Sequence, residues 1–189
     1  RARLLQSIWR IEKGYEFEKY GNFLELNFAK ETGANFLTKK IFEIVKQEVQ
    51  NKHIDRKVIK EPRIWNNLLS SQPLAFNIFG ELKQDLKLAT STFKTLYPGH
   101  RIKNVTAIEF EYSPGRKSLK YTGDSSAFDV FVVYKNELTD NCFFGIEVKY
   151  AENLLDEPAT HKETYEEISI QSEIFNMTML NKLKEKPIQ

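Results

Sequence analysis

A mixed α/β fold of the α+β kind is predicted, with a core ordered helix, strand, strand, strand, helix. Three observations predict it. Leu82, Leu86, Ala89, Phe93 and Leu96 recur at helical spacing, so 82–96 reads as an amphipathic helix. Three short runs rich in Val, Ile, Phe and Tyr follow at 105–112, 128–134 and 142–150. From Thr160 to Leu183, Tyr165, Ile168, Phe175, Met179 and Leu180 mark the core face of a long last helix. Residues 81–189 then form a core of one helix, three strands and a last helix. Residues 1–80 form an N-terminal helical extension packed on it, in one compact unit.

The elements follow in order. Leu4, Leu5, Ile8 and Trp9 fit the apolar face of a first helix, with Arg1, Arg3 and Arg10 on or beside its solvated face. Gly14 to Gly33 reads as a loop holding a short helix. Thr38 to Gln50 is helical, with Ile41, Ile44, Val45 and Val49 inward and Lys39, Lys40, Glu43 and Lys46 outward. Glu43 and Glu48 are explained by surface solvation. Asn51 to Arg63 is basic and irregular. Ser70-Ser71-Gln72-Pro73 is a turn before the apolar Leu74–Phe79. Pro98-Gly99 ends the 82–96 helix, and Ser113-Pro114-Gly115-Arg116 turns the chain after the first strand.

Composition narrows the class. A chain of 189 residues with 29% charged and 41% apolar residues is ordinary for one soluble core. The net charge of +2 makes it no polycation, so any affinity for nucleic acid must come from a local basic patch. The single cysteine, Cys142, rules out an internal disulfide, suits a cytoplasmic setting, and reads as a buried structural thiol. No apolar run approaches the roughly 18 residues of a membrane span, and no signal peptide is visible. Arg1 at the start and Lys186–Gln189 at the end suggest a piece of a longer chain. His53, His100 and His161 lack metal-ligand spacing, and the eight glycines form no phosphate loop.

The chemistry concentrates between Tyr121 and Asn153. Asp129 opens the second strand, while Glu147 and Lys149 lie near the end of the third. Side chains two apart on a strand share a face, and an antiparallel hairpin returns Asp129 to the same end as Glu147 and Lys149. Charges in apolar strands are costly unless paired or metal-bound. Two converging carboxylates make a hard-oxygen site suited to Mg²⁺, and an ammonium beside them can orient water or offset phosphoryl charge. Glu111, at the end of the first strand, is a fourth candidate for the metal site; a cross-strand partner for Lys149 or Arg116 is the competing reading. For the trio itself the competing reading is an internal ion pair. Arg116, Lys117 and Lys120, in the polar loop 116–126, could reach phosphates. Gln72 is a candidate for a groove contact, against a turn-stabilising hydrogen bond.

Asp129, with Glu147-Val148-Lys149 eighteen positions on, resembles the signature of the PD-(D/E)XK nuclease superfamily. Phe128 stands where that pattern has Pro. Ser70-Ser71-Gln72-Pro73-Leu74, Phe110-Glu111 with Ser113-Pro114-Gly115-Arg116, and Glu147-Val148-Lys149-Tyr150-Ala151-Glu152-Asn153 resemble a group of bacterial proteins with this nuclease-like domain. The resemblance implies a restriction-endonuclease-like αβββα core with a mixed sheet flanked by helices, whose last strand lies beyond Gln189 or is poorly supplied by Pro187-Ile188-Gln189. It implies a Mg²⁺- or Mn²⁺-dependent nuclease acting on DNA, with Asp129, Glu147 and Glu111 on the metal and Lys149 orienting the nucleophile. An idle family member that binds DNA or a protein partner is the alternative, and an effector nuclease acting on RNA is a third.

Overall fold

A computed structural model describes residues 1–53, 57–118, 120–121, 123, 126–151, 163–174, 176, 178 and 181. The chain divides into two units, Arg1–Ser113 with Ala127–Ala151, and Pro114–Ser126 with Glu152–Gln189. The first unit holds six helices: α1 (Ala2–Glu12), α2 (Leu26–Thr32), α3 (Lys39–Asn51), α4 (Arg63–Asn66), α5 (Ser71–Gln84) and α6 (Leu86–Leu96). A 3₁₀ turn at Pro98–His100 leads into β1 (Ile102–Tyr112), β2 (Phe128–Asn136) and β3 (Asn141–Ile146). The fold class is the mixed α/β one that the sequence predicts.

The strands form one antiparallel sheet in the order β1-β2-β3. Val130, Val132 and Tyr134 alternate inward on β2, and Ile108 and Phe110 do so on β1. Helices α5 and α6 cover that face. Phe76 of α5 stacks on Phe110 at 4.0 Å, and Phe93 of α6 stacks on Phe144 of β3 at 5.6 Å. The buried apolar side chains form one cluster from Leu24 to Val148, so the helices before residue 80 share the sheet's core.

Several elements differ from expectation. Ser70–Phe79 is not a turn and a separate run: Ser70 is the N-cap position of α5, and Pro73 is its third residue. A proline in the first turn gives up an N–H that has no partner there anyway. Nor is 82–96 one helix. Asp85 leaves helical geometry and its carboxylate accepts from the N–H groups of Lys87 and Leu88, which ends α5 and caps α6.

Helix α1 is turned from the orientation its pattern suggests. Leu4, Leu5, Ile8 and Ile11 are exposed, while Arg10 is buried. Arg10 donates to the carbonyls of Gly21 and Tyr15, which satisfies the guanidinium inside. Glu48 is buried too, not solvated.

In the second unit, α7 (Glu163–Gln171) has Tyr165 and Ile168 half-buried. Phe175, Met179, Leu180 and His161 lie outside the described residues.

Candidate active site

Strand register sets the site. Phe110 pairs with Val130 and Tyr112 with Phe128, so Glu111 lies opposite Asp129. Val130 pairs with Ile146, and one step further along the same register is Asp129 opposite Glu147. The register brings Glu111 of β1 beside Asp129 of β2, with Glu147 one residue past the end of β3.

Their side chains take separate partners. The N–H of Val148 donates to Asp129 Oδ2 at 2.6 Å. That carboxylate takes an N–H just past Ile146, the last residue of β3. Glu147-Val148-Lys149 thus lies beyond the strand rather than within it, a correction to the expected 142–150 run. Val148 is buried and anchors the segment in the core. Glu147 and Lys149 face outward together, Nζ to Oε1 at 2.7 Å, with side chains 56% and 49% exposed. The internal ion pair considered from the sequence is therefore a surface pair, and such pairs add little stability.

Glu111 turns elsewhere. Its φ of +52° lies in the left-handed region, unusual for a residue with a side chain. Its carboxylate is buried and accepts from Gln72 Nε2 at 2.6 Å. The same amide donates to Val58 O at 2.6 Å, and Gln72 Oε1 accepts from Lys60 N–H at 3.1 Å. Gln72 is thus a buried cross-link between α5, the 57–60 segment and β1. Its expected groove contact is replaced by these bonds, closer to the hydrogen-bonding alternative.

Among the described residues, no three His, Cys, Asp or Glu side chains group closely enough to hold a metal ion. Asp129, Glu147 and Glu111 do not form a three-carboxylate cluster. The left-handed turn at Glu111 and its bond to Gln72 draw the third carboxylate away.

A second polar cluster was not legible in the sequence. Lys57 Nζ lies 2.5 Å from Glu48 and 3.3 Å from Glu109; Lys83 Nζ lies 3.0 Å from Glu109 and 3.4 Å from Glu48. Lys83 also donates to Ile108 O at 2.7 Å. Burial works against the Lys57 ammonium, but its bond to Glu48 and the charges of Glu48 and Glu109 outweigh it and raise its pKa. Burial likewise works against the Glu109 carboxylate, and Lys83 with Lys57 outweighs it and lowers that pKa. Two acids and two bases close a balanced ring that ties α3, α5 and β1 together, two residues from Glu111. The partners lie far apart in the chain, so no local spacing announces them.

The remaining candidates scatter. Arg116 is half-buried and Lys117 and Lys120 are exposed, all within the second unit. Cys142 is partly buried and free. His100 meets the hydroxyl of Tyr134 and the ring of Phe144, a packing role.

The family model of the PD-(D/E)XK nuclease superfamily matches residues 1–189, the whole chain. The chain belongs to this superfamily. Neither a curated protein nor a solved structure matches it. PD-(D/E)XK membership points to nuclease-type chemistry and a nucleic-acid substrate. No helix among the described residues is long and apolar enough to cross a membrane.

Proposed function

We propose that this PD-(D/E)XK protein is a cytoplasmic hydrolase of phosphodiester bonds in DNA, dependent on Mg²⁺ or Mn²⁺. One observation carries the reading: Val148 N–H donates to Asp129, which ties that carboxylate to the segment where Glu147 and Lys149 stand exposed as a pair. On this reading acid, acid and amine act together, Asp129 from β2 and Glu147 with Lys149 from the segment just past β3. Asp129 and Glu147 are the proposed ligands; a bound cation would acidify a water and offset charge on the scissile phosphate. Glu111, held by Gln72, is left out of the ligand set. Lys149 orients the attacking water and stabilises the phosphoryl oxygens. Arg116, Lys117 and Lys120 are proposed phosphate contacts that supply the local positive charge a chain of net charge +2 needs. Residues 1–80 serve as an extension of the catalytic core at 81–189.

The test is cleavage of plasmid and oligonucleotide DNA, with RNA in parallel, in Mg²⁺ or Mn²⁺. Asp129→Ala and Lys149→Ala should each lower the rate by about 10²-fold or more. Activity that survives both substitutions removes the proposed roles. Among the described residues no three acidic side chains group for a metal ion, and the rival is an idle member that binds without cutting. Metal titration separates the two: about ten times Kd of Mg²⁺ should stabilise the active protein by about 1.4 kcal/mol, through Asp129 and Glu147. An idle protein shows no such gain.

A further inference from the structure

A cavity of about 390 Å³ opens within the first unit. Its described lining comes from α1, the 34–37 segment, Leu68, α5 with its cap, and Tyr150. Tyr150 follows Lys149 directly, and Ser70 and Pro73 flank Gln72, which holds Glu111. The volume falls in the range of small-molecule sites.

The lining limits what can enter. Among the described residues that line it there is no Asp, Glu, Lys, Arg or His. Trp9, Phe36 and Tyr150 supply aromatic surface. Three amides supply polarity, and their bonds show what they have left to offer. Asn77 is saturated: its Oδ1 accepts from Leu37 N–H and its Nδ2 donates to Asn35 O, both at 2.9 Å. Asn35 Nδ2 faces the carbonyls of Ile64 and Asn67 at 3.4 Å, which leaves Oδ1 as an acceptor. Gln6 Nε2 donates to the Tyr150 hydroxyl at 2.6 Å, which leaves Oε1 as an acceptor. Neither oxygen has a donor among the described residues. A neutral, flat ligand with N–H groups at its edge matches these walls.

We propose that the cavity receives one unstacked nucleobase of the substrate strand and prefers bases with an exocyclic amine. The inference rests on the nuclease reading and narrows its substrate to DNA with an unpaired or easily extruded nucleotide. An enzyme that acts next to a displaced base gains stacking energy from aromatic walls and offsets the cost of unstacking.

The experiment uses oligonucleotides carrying 2-aminopurine in a single strand, in a one-nucleotide bulge or in an unbroken duplex. Binding is followed by fluorescence in EDTA, so that cleavage plays no part. Two variants probe the cavity. Ala34→Phe fills it. Leu5→Glu sets a charge at its exposed rim, where Leu5 is 60% exposed and the fold tolerates change. The wild type should bind the single strand and the bulge with a fluorescence change and should bind the duplex more weakly. Both variants should lose about tenfold or more of that affinity while melting as the wild type does. If Ala34→Phe misfolds, Leu5→Glu alone decides.

Equal binding by all three proteins, no fluorescence change, or no saturable binding overturns the proposal. Cleavage in Mg²⁺ that ignores both variants and treats paired and unpaired DNA alike overturns the cavity assignment while the nuclease reading stands. A cavity-dependent signal without any cleavage has the opposite meaning: the nuclease reading fails and a nucleobase-binding module remains.

Discussion

Replacing Gln72 with Glu tests the polar junction behind the site. The Gln72 amide donates at 2.6 Å to both Val58 O and Glu111, and accepts from Lys60 N–H at 3.1 Å. A carboxylate of the same shape keeps the acceptor and loses both donors. It also sets a second negative charge against Glu111, which is only 8% exposed. Two unit charges about 4 Å apart repel by about 4 kcal/mol at an effective dielectric of about 20. The lost donors add about 2 kcal/mol, and uptake of one shared proton relieves much of the repulsion. A net cost of about 4 kcal/mol at neutral pH lowers Tm by about 8–16 °C in a chain of this size.

The sign of the pH dependence follows from that proton. The folded variant holds it above about pH 4.3, where unfolded glutamates release theirs. Because the folded state then binds more protons, stability falls as pH rises. The deficit relative to wild type should be smallest near about pH 4.5 and grow toward about pH 7.5. Thermal denaturation of both proteins across that range measures it. A deficit that does not change with pH, or stays under about 1 kcal/mol, refutes the close contact between Gln72 and Glu111.

Glu48→Gln should cost about 3 kcal/mol, at the low end for a broken buried pair because Lys57 keeps Glu109 at 3.3 Å. Glu43→Gln, whose pair with Lys46 is exposed, should change stability by under about 0.5 kcal/mol; urea titration compares the two. The ring also sets a pH window. Lys57, with its raised pKa, contributes fully below about pH 10.4 and loses that contribution as pH rises through its folded value. Glu109, with its lowered pKa, contributes above about pH 4.3 and loses that as pH falls through its folded value. The stability difference between wild type and Glu109→Gln should therefore stay flat between those limits and shrink outside them. Gly33→Ala should lower stability by about 2 kcal/mol or more by chemical denaturation, since φ is +68° and a Cβ would stand 2.5 Å from Phe42 Cγ. Asp85→Ala should cost about 1 kcal/mol in the same assay by removing the cap of α6.

The hairpin was legible because its rules are short-range. Alternation places Val130, Val132 and Tyr134 on one face, and spacing two apart places Glu147 with Lys149; both are as the periodicity requires. The spacing of Ile41, Ile44 and Val45 locates α3 for the same reason. What stayed hidden depends on partners far along the chain. Arg10 sits on the polar side of its helix by pattern, yet the carbonyls of Gly21 and Tyr15 make burial affordable. The break at Asp85 left no mark because Leu82, Leu86 and Ala89 keep their phase across it. Gln72 read as part of a turn since Pro73 beside it is a strong turn signal, and the same residue is tolerated in a first helical turn. Nothing local reveals that Glu111 lies 39 residues along the chain at the other end of its hydrogen bond.

Glu111, Asp129 and Glu147 are held by different donors, and those donors rank how readily each could turn to a cation. Glu147 is held by a surface ammonium, an interaction worth about 0–1 kcal/mol, so exchanging Lys149 for a divalent ion costs almost nothing. Asp129 is held through Oδ2 by a backbone N–H. Glu111 would have to give up a buried amide bond and reverse a left-handed backbone turn. The proposed function takes Asp129 and Glu147 as the metal ligands and leaves Glu111 on Gln72. Calorimetry of Mg²⁺ binding to Glu111→Gln and Glu147→Gln checks that ranking. Affinity should fall sharply for the second and little for the first, and the reverse order would restore Glu111 to the ligand set.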